Sequence, residues 1–303
     1  MDDLENKSRK AQGAGRLPPW LRVKLPGDAG FAATAQAVAD AGLRTVCRGA
    51  RCPNIFECFS KGTATFLILG GVCTRGCAFC NIEAGKPDPV DPDEPARLAR
   101  AVAELGLSHA VITSVTRDDL PDGGAEQFAA AIRAVREAVP AATVEVLTPD
   151  FKGDFAALDV VLAAGPDVYN HNVETVPRLY PTARAGADYA RSLSVLARAA
   201  RLGRAVVKSG LMVGLGETAG ELEATFRDLA GAGCRMVTVG QYLRPSRRNL
   251  PVARYVPPEE FEALAALGRR CGIAEMACAP LVRSSYKAGQ AASLAAVRGC
   301  PRP

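Results

Sequence analysis

Long apolar runs are missing from this 303-residue sequence. No stretch approaches the ~20 residues that a membrane-spanning helix needs. The opening MDDLENKSRK is acidic and polar. It lacks the apolar centre of a secretory signal and the Arg-rich, acid-poor character of a transit peptide, so a cytoplasmic location is expected. Aromatic residues are scarce, at 6%, and no stripe interleaves them with basic residues, which gives nucleic-acid binding little support. Net charge is only +5, without a long run of one sign. The plain reading is a solvated surface; the functional one is attraction to an acidic partner. GLGE at 214–217 lacks a following Lys-Ser/Thr, so it reads as a turn after a strand beside a cofactor rather than a phosphate loop. Internal repeats and low-complexity segments are absent too.

What is present is a globular composition, 48% hydrophobic and 23% charged, with ten cysteines. In a reducing compartment, clustered cysteines are metal ligands more often than disulfides. Six of the ten fall in CRGARCPNIFECFSKGTATFLILGGVCTRGCAFC, as two triples: Cys47, Cys52, Cys58 and Cys73, Cys77, Cys80. A zinc or iron–sulfur site ordinarily takes four ligands, so each triple lacks one. Cys234, Cys271 and Cys278 lack ligand spacing and read as small buried hydrophobes, and Cys300 as an exposed tail residue.

Residues 1–18 are polar and expected to be disordered; LPPWLRVKLP reads as extended by its prolines; FAATAQAVADAGL has helical spacing. From residue 65 onward six strand–helix units alternate. The strands are 65–71, 109–115, 142–149, 167–173, 205–214 and 236–243, and the helices 95–106, 124–139, 155–165, 189–203, 219–233 and 257–272. Near-continuous apolar strands imply a parallel sheet buried on both faces, either doubly wound or closed as a barrel. Polar residues gather at strand C-terminal ends, the edge where α/β folds place their sites: Ser114, Arg117, Asp118, Asn170, His171, Asn172, Glu174, Glu217, Gln241 and Arg244. His109 reads as structural, and His171 as a hydrogen-bonded core histidine.

CTRGCAFC follows the first strand. Three thiolates on one short loop hold three corners of a 4Fe–4S cluster and leave the fourth iron open, a position that serves substrate or cofactor. A structural zinc site or buried free thiols are the bland alternatives, but the second C-x2-C pair that zinc favours is not nearby. The spacing C-x3-C-x2-C after a first strand resembles the radical S-adenosylmethionine (SAM) superfamily. That resemblance implies a partial (β/α)6 TIM-like barrel, SAM on the open iron, and a 5′-deoxyadenosyl radical. An unactivated alkyl hydrogen is beyond any side-chain base, so a radical cofactor suits it. In this family Phe79 would pack on the adenine; otherwise it is an ordinary loop aromatic.

Cys47-x4-Cys52-x5-Cys58 alone is a weak signal. Beside CTRGCAFC, and with TSVTRDDLPDGGA, YNHNVETVPRLY, KSGLMVGLGE, GQYLRPSRRNLPV and LVRSSYKA, the chain resembles the lipoyl synthase family from about Trp20 to Ala288. The resemblance implies two 4Fe–4S clusters, the auxiliary one held by Cys47, Cys52, Cys58 and a serine of RSSY, Ser284 with Ser285 as fallback. Alkoxide is a hard ligand for iron, suited to a cluster meant to come apart. The implied reaction inserts sulfur at carbons 6 and 8 of a protein-bound octanoyl chain, the auxiliary cluster being consumed as donor. Implied partners are octanoylated carrier domains of 2-oxoacid dehydrogenase E2 or the glycine cleavage H protein, an electron donor such as ferredoxin or flavodoxin, and an iron–sulfur carrier for repair. A monomer is the simpler expectation.

By position and resemblance, Ser114, Arg117 and Asp118 hold SAM or order the site, and Asn170, Asn172 and Glu174 face SAM. Lys208, Met212, Gln241, Tyr242 and Arg244 stand beside them, each with a structural role as the alternative. Arg283 positions the serine loop, contacts the clusters' surroundings, or is a surface arginine. The family pattern divides the chain into a tail (1–18), a cysteine-bearing extension (19–63), the barrel (64–272) and a serine-bearing extension (273–303). Arg48 and Gly49 stand where the family usually has acidic residues, and Phe56 and Phe59 where Gly and Trp are usual.

Overall fold

The computed structural model describes residues 17–23, 29–286 and 288–289. Most of the polar 1–18 segment and Cys300 therefore lie outside the described residues. All six sequence-expected units are present. The strands are β1 (Arg44–Thr45), β2 (Thr65–Ile68), β3 (Val72–Cys73), β4 (Glu83–Ala84), β5 (His109–Ser114), β6 (Thr143–Leu147), β7 (Val168–Asn170), β8 (Val206–Val213), β9 (Met236–Gln241) and β10 (Glu275–Cys278). The helices are α1 (Ala29–Asp40), α2 (Val46–Gly49), α3 (Ile55–Ser60), α4 (Glu94–Glu104), α5 (Ala125–Ala138), α6 (Phe155–Ala163), α7 (Tyr180–Ala183), α8 (Tyr189–Leu202), α9 (Ala219–Gly231) and α10 (Pro258–Arg270).

Eight strands form one sheet in the order β1-β2-β5-β6-β7-β8-β9-β10. Every neighbouring pair is parallel except β1 with β2. Strand order follows chain order and the two ends do not pair, so the sheet is a barrel left open. Helices cover the outer face; Leu98, Phe128, Leu158, Leu196, Phe226 and Phe261 are each buried there.

Two differences from the sequence reading have plain causes. A seventh parallel strand, β10, pairs with β9 at the sheet's edge. Its residues are only half-buried, so no apolar run announces it. The proline-rich LPPWLRV segment is not simply extended: Pro19–Leu21 make a 3-10 turn with Leu21 buried, because proline suits the first helical position.

The first strand stops short of its apolar run. Leu69 and Gly70 take φ of 67° and 95°, which turns the chain out of the sheet and into the cysteine loop. Gly124 is obligatory against that turn: a Cβ there would lie 2.3 Å from Leu69 Cδ1.

Candidate active site

CTRGCAFC sits at the C-terminal edge of β2. Its anchor is Arg75, between the first two cysteines, whose side chain is 7% exposed. The guanidinium makes two hydrogen bonds to Asp118, at 2.7 and 2.9 Å, and one to Asp150 at 2.7 Å. Burial pushes the Asp150 carboxyl up, but Arg75 outweighs it and holds it at about 2. Cys73 Sγ accepts from the backbone N–H groups of Arg75 (3.4 Å) and Thr116 (3.3 Å), and Cys80 Sγ from that of Ile82 (3.4 Å). Asn249 donates to the carbonyls of Ala78 and Cys80. Arg184, held by Tyr180 and Ser192, lies near enough to oppose the rise of the Cys77 thiol.

The first triple is carried by α2, the loop after it, and α3. The phenylalanines that depart from the family pattern pack there: Phe31 of α1 stacks on Phe56 at 5.3 Å and meets Phe59 at 5.5 Å, with Phe59 buried. Gly49 admits Ile82, whose Cδ1 would lie 2.7 Å from an added Cβ. The C-terminal segment returns to this loop. Asn54 donates to the Leu281 carbonyl at 2.7 Å, and Tyr286 Oη donates to Glu57 at 3.0 Å.

Burial pushes the Cys47 thiol up to about 11 and the Cys58 thiol up to about 12, with neighbouring triple members adding to each. In the other triple burial pushes Cys77 up to about 12, Cys80 and Cys73 adding to the rise. The thiols within each set therefore sense one another's charge. Among the described residues no three Cys, His, Asp or Glu side chains converge on the place of a single ion. Loading such thiols releases protons.

A cavity of about 410 Å³ lies between the two triples. Cys47, Cys52, Phe79 and Cys80 are among its lining residues, with Asn172, Glu174, Met212, Arg283, Ser284 and Ser285. Asn172 Nδ2 donates to Ser284 Oγ at 2.7 Å and to Glu174 at 3.1 Å. Glu174 has φ of 65°, unusual for a non-glycine residue, and its backbone is held to β8 through Gly210 and Met212. Burial raises its carboxyl, with Arg184 opposing. Arg283 is no surface arginine: burial lowers its pKa, with Cys52 and Glu174 opposing.

Other sequence-predicted residues take different places. Ser114, half-buried, and Asn170, buried, sit at the C-terminal ends of β5 and β7, and the buried Ser114 Oγ and both polar atoms of the Asn170 amide have no hydrogen-bond partner. Buried polar groups are rarely left so, and a bound polar ligand such as SAM would satisfy them. Together with the thiol sets, they make the residues present a fit for SAM and iron–sulfur groups. Gln241, expected near the cofactor, is buried instead against backbone, bonding Val213, Tyr242 and Arg254 carbonyls and the Val256 N–H. Arg117 binds Asp119 and the Leu69 carbonyl, so it orders the turn. Lys208 reaches Glu145 and the Ser284 carbonyl, away from the cavity lining. Arg244 lines the mouth of the cavity and bonds the Asn249 carbonyl at 2.8 Å. His171 is fully buried, bonded to the Thr148 carbonyl and Ser192, and burial holds it down at about 4, so it is a neutral core histidine. Sequence reasoning missed Arg75, Asp150, Arg184 and Asn249; only Arg75, inside the cysteine loop, carried a local signal.

The radical SAM superfamily profile matches residues 67–229. The lipoyl synthase of Nitratidesulfovibrio vulgaris (strain DP4) is 61% identical over 91% of this chain and 92% of that protein. That of Oleidesulfovibrio alaskensis is 60% identical over 90% of this chain and 94% of its own length. Among solved structures, the FeFe-hydrogenase maturase HydG of Carboxydothermus hydrogenoformans superposes with a TM-score of 0.55 at 14% identity, covering 96% of this chain and 78% of that one, a likeness of fold alone. Its sequence and its open barrel together place this chain in the lipoyl synthase family of the radical SAM superfamily.

Proposed function

We propose that the protein inserts two sulfur atoms, at carbons 6 and 8 of a protein-bound octanoyl-lysine, to make the lipoyl group. The observation that carries this reading is one cavity lined by Cys47 and Cys52 of one triple, Cys80 of the other, and Ser284 and Ser285. When bound, SAM with its cluster supplies the 5′-deoxyadenosyl radical and a second cluster supplies sulfide. Cys73, Cys77 and Cys80 hold the first cluster. Cys47, Cys52, Cys58 and Ser284 hold the second, across the cavity. Ser114, Asn170, Asn172 and Glu174 supply polar contacts for SAM, and Phe79 an aromatic face. Val46, Leu211, Met212 and Val282 line the same cavity and take the alkyl chain. Such a wall excludes water from a reactive carbon centre.

The substrate is carried on a protein, and the mouth of the cavity supports an acidic carrier face. Arg51 bonds the Pro245 carbonyl, and Arg248 approaches the Asn81 carbonyl, which gathers Arg51, Arg244, Arg247 and Arg248 at one rim. All four are exposed, and among the described residues none is ion-paired. Octanoylated domains of 2-oxoacid dehydrogenases or the glycine cleavage H protein are the partners this reading names, with ferredoxin or flavodoxin as electron donor and an iron–sulfur carrier for repair. Among the described residues no helix is long and apolar enough to cross a membrane. Free thiols suit the cytoplasm.

The test is anaerobic reconstitution with SAM, a reductant and an octanoyl-lysine peptide. About eight irons per chain, 5′-deoxyadenosine and two added sulfurs are expected. About four irons, with deoxyadenosine but an unchanged peptide, would refute the sulfur-inserting reading. Reversing Arg247 and Arg248 to Glu should raise KM about tenfold for an octanoylated carrier domain at low salt and leave the peptide unaffected. Equal effects on both substrates would remove the rim from the argument.

A further inference from the structure

We infer that Lys208 and Glu145 form a charged staple inside the barrel, which seats the serine segment whether or not a cluster is present. The inference rests on the reading of Ser284 given above.

Glu145 on β6 and Lys208 on β8 lie inside the sheet, each side chain 1% exposed, with Nζ 2.8 Å from Oε1. A buried ion pair alone is a poor source of stability. This one has a third member: Nζ lies 2.5 Å from the backbone carbonyl of Ser284. An ammonium has three donors, and two are spent here on a carboxylate and on that carbonyl. The lysine thus grips the serine by its backbone and leaves its hydroxyl free to face the cavity, where Asn172 steers it.

The sheet is cut away beneath the segment. A Cβ at Gly240 would lie 2.0 Å from the Val282 carbonyl oxygen, and one at Gly210 would lie 2.5 Å from Thr238 Oγ1 and 3.1 Å from Ser284 Oγ. Neither glycine has a positive φ. Clearance, and not backbone freedom, requires them. Further on, a Cβ at Gly289 would meet His109 Cβ at 3.0 Å, so the chain continues from the site toward the start of β5. There His109 Nε2 stands 3.6 Å from the second oxygen of Glu145.

None of these contacts uses a cysteine. Lys208 and Glu145 are therefore positioning residues acting through Ser284. In a reaction that consumes its auxiliary cluster, a seat built this way persists through each loss and is ready for the replacement.

The test begins with the cluster-free protein. Hydrogen exchange should show residues 281–286 protected without iron. Exchange there at the rate of an unfolded chain would overturn the staple without any substitution. Lys208→Met with Glu145→Met then removes both charges together, which a core tolerates better than loss of one. Protection of 281–286 should be lost in the cluster-free variant. On reconstitution iron should fall from about eight toward about four per chain. Sulfur insertion should fall about 10- to 100-fold while 5′-deoxyadenosine still forms. A folded double variant with unchanged protection and iron overturns the inference. Should it fail to fold, the cluster-free exchange of the unaltered chain decides. If the unaltered protein inserts no sulfur while the staple results hold, the functional reading fails and the staple stands.

Discussion

Replacing any one of Cys73, Cys77 or Cys80 with Ala abolishes 5′-deoxyadenosine formation. Replacing Cys47, Cys52 or Cys58 leaves it in place and stops sulfur insertion. The asymmetry follows from where the thiols sit. The loop carrying the second triple is fixed by Arg75 and Asn249 to the barrel itself. The first triple rides on α2 and α3, outside the six strand–helix units, and touches the barrel through the shared cavity. Either change should cost one cluster, so iron falls from about eight to about four per chain in both series. A normal deoxyadenosine yield from Cys77→Ala would sink the radical assignment. Sulfur insertion that survives Cys52→Ala would make the first triple merely structural. The measurement is liquid chromatography of SAM products beside mass spectrometry of the octanoyl peptide.

Arg75→Met should both destabilise the protein and prevent loading of the SAM-facing cluster. Its guanidinium is the buried partner of two carboxylates, Asp118 and the fully buried Asp150. Methionine fills part of the volume but leaves Asp150 with the Lys152 N–H at 3.2 Å and, as an ion-pair partner, Arg191 at 3.4 Å. Breaking a buried pair by removing one side costs about 3–5 kcal/mol. The sign with pH can be stated. Asp150 is held at about 2 when folded, below its ordinary value, so its share of stability is present above roughly pH 4 and lost as pH falls toward 2. In Arg75→Met that acid sensitivity should shrink, and chemical denaturation at pH 3 and 7 would measure it. Equal stability losses at both pH values would mean the pair is not what holds the loop.

The strands and helices of the barrel were legible because burial on both faces writes itself as apolar runs, and TFLILGG or AVVKSGLMVG allow little else. Edge strand β10 was not, because a half-buried strand needs no such run. Lys208 shows the limit for sites. At a strand near the cavity it reads equally as a cofactor contact, and only the fold shows Glu145 beneath it and a carbonyl beyond. Gln241 carried the same two readings, and the fold shows it bonding backbone: a polar residue at a strand end serves backbone as readily as ligand.

What the sequence determined by itself is the grouping of the thiols. Three within one short loop are held near one another by chain connectivity, so their spacing already marks a candidate ligand set. What only tertiary structure decided is that the serine-bearing segment returns to the loop of the first triple. Asn54 and Leu281 stand 227 positions apart, yet one hydrogen bond joins them. No local pattern encodes that closure. It is set by a barrel left open along one side, by glycines that clear a path along β8 and β9, and by a buried lysine that bonds the returning chain's carbonyl as well as Glu145.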